Sequence, residues 1–157
     1  MNLQPSEKEL YYLQDLFLQD AKAYIYIDQN DVRKMELISP SGKKMVYYGA
    51  TLYELLQKAS ICIRERVKGD LTPKGEKTYD SALDWLLLKG FQFKISKLDN
   101  SLKLNISEHE NSSSQVFSTQ YTCLNLLYVL KEAEVWADKI KKHTDTIQNE
   151  TDINHIA

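Results

Sequence analysis

The stretch from Phe91 to Ser107 constrains the fold more than any other. Phe91, Phe93 and Ile95 alternate with Gln92 and Lys94, and Leu102, Leu104 and Ile106 alternate with Lys103 and Asn105. Ser96-Lys97-Leu98-Asp99-Asn100-Ser101 lies between the two arms and carries the turn-forming residues. Period-two alternation on both sides of a polar turn is the signature of a hairpin with one buried face. A lone hairpin is marginal in water, so a third strand or a helix must cover its apolar side.

The flanking sequence supplies both. Ser6-Glu7-Lys8-Glu9 is a capping box. Leu10, Leu13, Leu16, Phe17 and Ala21 then follow at helical spacing, which predicts a helix ending at 21–23. Tyr24–Ile27, Arg33–Ser39 and Lys44–Tyr48 read as three strands, separated by the turn residues Asp28–Asp31 and Pro40-Ser41-Gly42. Thr51 and Glu54 form a second capping box. It opens a helix with Leu52, Leu55, Leu56, Ala59, Ile63 and Val67 on one face, predicted to stop at Gly69. Asp70–Lys77, with Pro73 and Gly75, reads as a linker. A third helix is expected over Thr78–Lys89 with Gly90 as its C-terminal cap, then the hairpin, then a short strand at Gln115–Ser118. The last helix is expected over Tyr121–His143, with Leu126, Leu130, Ala133, Ala137 and Ile140 in one stripe. Residues 144–157 are polar and unpatterned, so a flexible tail is expected there.

The fold class that follows is α+β: two αβββα units, each an antiparallel three-stranded sheet flanked by helices. The units span 1–69 and 76–143. Matching elements sit roughly 70 residues apart, close to the size of a small domain, which suggests an internal duplication. Each unit alone would bury a thin core, so the two are expected to pack as one globule. That packing could make one extended sheet, or two sheets with helices between. The element order also resembles that of double-stranded-RNA-binding domains. The likeness is in order only: the Gly-Pro-x-His stretch and the Lys-Lys helix opening of that family are absent at Asp28–Asp31, Pro40–Lys44, Gly49–Leu52 and Gln120–Cys123.

The 157 residues hold 20 basic and 22 acidic side chains, a formal net charge of −2. A chain so balanced has no global field for nucleic acid or an anionic membrane, although a local patch remains open to it. No apolar run reaches the roughly 20 residues needed to span a bilayer, and no signal peptide precedes the first helix, so a cytoplasmic location is expected. The five glycines are too dispersed for a phosphate loop. His109, His143 and His155 share no helical face, and Cys62 and Cys123 lie far apart, so no metal or cofactor is expected. Cys62 and Cys123 each fall on an apolar helical face and read as small buried hydrophobes. Asp80 and Asp84 share a helical face and read as solvated carboxylates.

The first three strands are unusual. Tyr24 and Tyr26 alternate with Ile25 and Ile27, and Tyr47 stands beside Tyr48, so both faces are partly apolar. Either a further element covers the second face or it meets a partner. In the second case Tyr24, Tyr26, Tyr47 and Tyr48 would form the contact, rimmed by Arg33, Lys34 and Glu36, because Tyr is enriched where proteins meet. The function expected from the sequence is therefore a non-enzymatic module that binds another protein, an adaptor, chaperone or inhibitor of the kind found in microbial accessory or mobile-element systems. The alternatives are a nucleic-acid-binding module using Lys43, Lys44, Arg64, Arg66, Lys68 and Lys74, and an enzyme with its site between the halves. Val129, Val135 and Trp136 fall off the main stripe of the last helix and predict self-association through it.

Overall fold

The structure is a computed structural model and describes residues 7–28, 31–66, 81–108, 116–121 and 124–156. In chain order these form α1 (Glu7–Leu18), β1 (Lys22–Ile27), β2 (Arg33–Ile38), β3 (Lys44–Gly49) and α2 (Leu52–Glu65). The second half follows with α3 (Ala82–Leu88), β4 (Phe91–Leu98), β5 (Ser101–Glu108), β6 (Val116–Tyr121) and α4 (Leu126–Ile156). The protein is α+β, and helix, three strands, helix occurs twice.

All six strands form one antiparallel sheet in the order β3-β2-β1-β4-β5-β6. Of the two packings expected from the sequence, one extended sheet is the one formed: the two three-stranded units are joined edge to edge. The junction is the antiparallel pairing of β1 with β4, in which Lys22 lies opposite Ser96 and Ile25 opposite Phe93. The helices share one core with one face of this sheet. Ala23, Ile25, Met35, Leu37, Tyr47, Phe93, Ile95, Leu104 and Ile106 meet Leu13 and Phe17 of α1, Leu55 and Leu56 of α2, Leu83 and Leu87 of α3, and Val129 and Ala133 of α4. α1 packs on β4 and α3 on β1, so each half helps to roof the first strand of the other. Each large side chain fully buried here contributes about 1.5–3 kcal/mol.

Several boundaries moved for local reasons. α1 stops at Leu18, three residues before the earliest predicted end. Asp20 takes a left-handed φ of 74°. The N–H groups of Gln19 and Ala21 both donate to the Leu16 carbonyl. α2 ends before Gly69, which lies outside the described residues. Arg66, at φ 56°, is its left-handed cap and donates its N–H to the carbonyls of Cys62 and Ile63. Both ends use a residue other than glycine for a glycine's conformation, so neither carried the usual sequence signal. The Thr51 cap is as predicted: Glu54 N–H donates to Thr51 Oγ1 at 3.1 Å, and Glu54 Oε2 accepts from Ala50 N–H at 3.0 Å. Gly90, at φ 96°, closes α3.

The central hairpin is longer than its alternation implied, with Leu98 paired to Ser101 across only Asp99 and Asn100. α4 begins at Leu126 and continues past His143 to Ile156. No glycine or proline follows His143 to stop it, and extending an existing helix is far cheaper than starting one. The predicted Ser6 cap and the 70–77 linker lie outside the described residues.

Candidate interaction surface

The roofing helices take one face of the sheet, and among the described residues no element lies over the other. Strand parity decides what that open face carries. On β1 the residues Lys22, Tyr24 and Tyr26 face away from the core, on β2 Lys34, Glu36 and Ile38, and on β3 Lys44, Val46 and Tyr48. The β1–β4 junction extends the same face through Gln92, Lys94 and Ser96 to Lys103 and Asn105.

Register aligns these side chains in rows across the strands. Tyr48, Lys34 and Tyr26 form the first row. Val46, Glu36, Tyr24, Lys94 and Asn105 form the second. Lys44, Ile38, Lys22, Ser96 and Lys103 form the third. Neighbours in a row interact directly. Lys34 Nζ stands 5.7 Å from the Tyr26 ring centre and 5.9 Å from that of Tyr48. Lys94 Nζ is 5.7 Å from the Tyr24 ring. These are cation–π distances.

Glu36 holds two of the cations, with Lys44 Nζ at 3.0 Å and Lys34 Nζ at 3.8 Å. Its carboxyl is held below the usual value: burial acts to raise it, but the hydrogen bonds and charges of Lys44, Tyr26 and Lys34 outweigh that. The Tyr26 phenol is raised, first by burial and further by Glu36, with Lys34 opposing. Lys34 is raised too, because Tyr26, Tyr48 and Glu36 together overcome the effect of burial. Among the described residues Lys22, Lys94 and Lys103 have no carboxylate partner.

The face therefore carries five lysines against one glutamate, a net charge of +4. The other described side chains hold 11 bases and 11 acids, so the positive excess of the described residues lies on this one face.

Two residues expected on this surface are not there. Arg33 and Tyr47 have the opposite parity, that of Met35, Leu37 and Met45, and are 0% and 2% exposed. Arg33 Nε donates to Asp84 Oδ1 at 2.8 Å, and its Nη1 donates to the Asp31 carbonyl at 2.9 Å. The same Asp84 oxygen accepts from Leu52 N–H at 3.1 Å, at the start of α2. Asp84 is thus a buried partner of Arg33 and not a solvated carboxylate; Asp80 lies outside the described residues. Burial pushes the Asp84 carboxyl above its ordinary value, and Arg33 and the Leu52 N–H oppose that rise.

One turn away, Ser81 Oγ donates to Glu134 Oε2 at 2.8 Å, and the N–H of Leu83 donates to the same oxygen at 3.2 Å. Glu134 also accepts from Ala82 N–H. A carboxylate from α4 therefore caps the N-terminus of α3, where the helix dipole favours it.

The buried phenols make a prediction about alkaline stability. Burial pushes both Tyr47 and Tyr53 from 10.0 up to about 12, helped by Cys62 beside Tyr47 and by the Glu134 charge beside Tyr53. The unfolded chain loses these protons first. Their contribution to stability is therefore complete below pH 10.0 and is lost as the pH rises towards about 12. Parallel titrations of phenolate absorbance and circular dichroism should show these two tyrosines ionising last, together with unfolding. Ionisation of all ten tyrosines near pH 10 with the fold intact would contradict their burial.

The alternative nucleic-acid set does not converge. Lys44 is on the open sheet face and Lys43 in the adjacent turn. Arg64 and Arg66 are exposed at the end of α2, in the helical layer. Lys68 and Lys74 lie outside the described residues. Of the residues expected to self-associate, Val129 is in the core, Trp136 packs against it, and Val135 is 56% exposed. Cys62 is a buried free cysteine, as expected, and Cys123 lies outside the described residues.

Lys22, Lys94 and Lys103 did not stand out in the sequence as one surface. Lys94 and Lys103 were legible as the polar side of a hairpin, but only the β1–β4 pairing makes that side continuous with the tyrosines. Among the described residues, no cluster of three or more metal-ligating side chains occurs, and no helix is long and apolar enough to cross a membrane. No family model, curated protein or solved structure matches this chain.

Proposed function

We propose that this chain is a non-enzymatic interaction module that binds a macromolecular partner through the open face of its sheet, in the manner of an adaptor, chaperone or inhibitor. One observation carries the reading. Tyr24, Tyr26 and Tyr48 share with five lysines and one glutamate a sheet face that no described element covers, and the positive excess of the described residues is concentrated there. Half-buried tyrosines on a rigid sheet offer contact area at little entropic cost. A net charge of +4 on one face steers a partner of opposite sign and repels others.

The test is affinity capture from the cells that make the protein, comparing the native chain with Lys34→Glu/Tyr48→Ala. Both substitutions are on the open face, so folding should survive; a thermal melt checks this. The native chain is expected to retain a partner that the folded variant loses. A partner retained equally by both, but lost with Val135→Asp, would move the contact to α4 and end the sheet-face reading. Capture of nothing by the native chain would also count against it.

A further inference from the structure

We infer that the partner chemistry this face fits is single-stranded nucleic acid, laid across the strands; this rests on the sheet face being the binding surface. The third row places Lys44, Lys22 and Lys103 on alternate strands of the sheet. Strands lie about 4.8 Å apart, so these lysines repeat at about 10 Å across the sheet. The tyrosines stand beside the track. Tyr24 is two residues from Lys22 along β1, a step of about 7 Å, and Tyr26 and Tyr48 lie in the row beyond. A charged track flanked by rings is the division of labour that single strands need, phosphates on one side and unpaired bases on the other.

Three further observations select this occupant. The ring faces of all three tyrosines already accept cations, Lys94 on Tyr24 and Lys34 on Tyr26 and Tyr48. Each lysine can swing to a phosphate and leave its ring to a base. All the cations of the face are lysines, a residue depleted from the cores of protein–protein interfaces but suited to phosphate as a point charge. A duplex keeps its bases stacked inside, out of reach of rings on a sheet face, so the tyrosines would gain nothing from it.

Fluorescence anisotropy tests this with labelled oligothymidylate and oligouridylate of about 15 nucleotides, the upper end of what one small domain covers. A duplex of equal length and poly-glutamate serve as the other probes. Binding to one or both single strands is expected, with the two arms separating DNA from RNA. Log affinity should fall with log salt at a slope of up to about −3.5 for five phosphates. Lys22→Glu/Lys103→Glu should make that slope shallower. Tyr24→Ala should weaken binding on the order of tenfold, and Tyr24→Phe should restore it, since stacking needs the ring and not the hydroxyl.

Equal affinity for duplex, a tighter grip on poly-glutamate, or indifference to Tyr24→Ala in a folded variant would each overturn the inference. So would the absence of single-strand binding at low salt. The broader reading fails separately: it falls if the native chain captures nothing from cells, or if capture does not depend on Lys34 and Tyr48.

Discussion

Asp84→Ala is expected to destabilise the protein by about 3–5 kcal/mol, measured by urea unfolding, because it breaks a buried ion pair by removing one partner. Arg33 is 0% exposed and Asp84 1%, so water cannot take over the lost contact cheaply. The same substitution strips the acceptor from Leu52 N–H, the first amide of α2. The cost should be specific to removing one partner. Arg33→Met with Asp84→Leu removes both charges and fills the space with apolar groups, and such replacements of buried pairs are often neutral or stabilising. The double variant should therefore recover most of the loss. If Asp84→Ala alone costs under about 1 kcal/mol, the value of an exposed pair, then the Arg33 site is not dry and the burial described here is wrong.

The pH dependence has a definite sign. Burial raises the folded-state value of Asp84, so in the acid range the native protein binds that proton more readily than the unfolded chain does. Ionisation of Asp84 thus subtracts stability as the pH climbs through that window, and Arg33 and Leu52 N–H limit the loss. Glu36 acts in the opposite direction: its lowered value adds stability above the ordinary carboxylate range, lost again as acid protonates it.

Gly49→Ala should cost at least about 3 kcal/mol, the upper end of the usual range for overpacking. A Cβ at this position would lie 2.5 Å from the Leu55 nitrogen and 2.7 Å from its Cα. Those are backbone atoms of α2, so no side chain can rotate out of the way, and the helix must lift off β3. Elsewhere Gly→Ala commonly stabilises by about 0.4–1 kcal/mol through the unfolded chain, which makes the expected sign informative. Gly49→Ser should behave like alanine, since the Cβ itself is the obstacle. A Gly49→Ala protein as stable as the native one would show that α2 does not sit this close to β3.

Much of this could be read in advance, and the misses have identifiable causes. The alternation of Phe93, Ile95, Leu104 and Ile106 is a local property, and it located the hairpin directly. The same rule, applied strictly, would have removed Arg33 and Tyr47 from the surface, because Arg33 shares parity with Met35 and Leu37, and Tyr47 with Met45. A charged residue in phase with apolar ones is itself a signal of a buried pair. Its partner was not legible: Asp84 lies 51 residues further on, on a short helix where nothing marked it apart from Asp80. The helix ends at Asp20 and Arg66 were hidden because left-handed caps are ordinarily glycine.

What the amino-acid sequence determined alone is the kind and order of the elements and which residues share a side of each strand. Those features follow from side-chain periodicity and capping, which act over a few residues. What the tertiary structure decided is which sides are roofed and which are joined. The pairing of β1 with β4 merges two small sheets into one and brings the tyrosines of the first half into line with the lysines of the second. No local rule could supply that, because backbone pairing between distant strands is chosen by the burial of both apolar faces under shared helices, a free energy that belongs to the whole core.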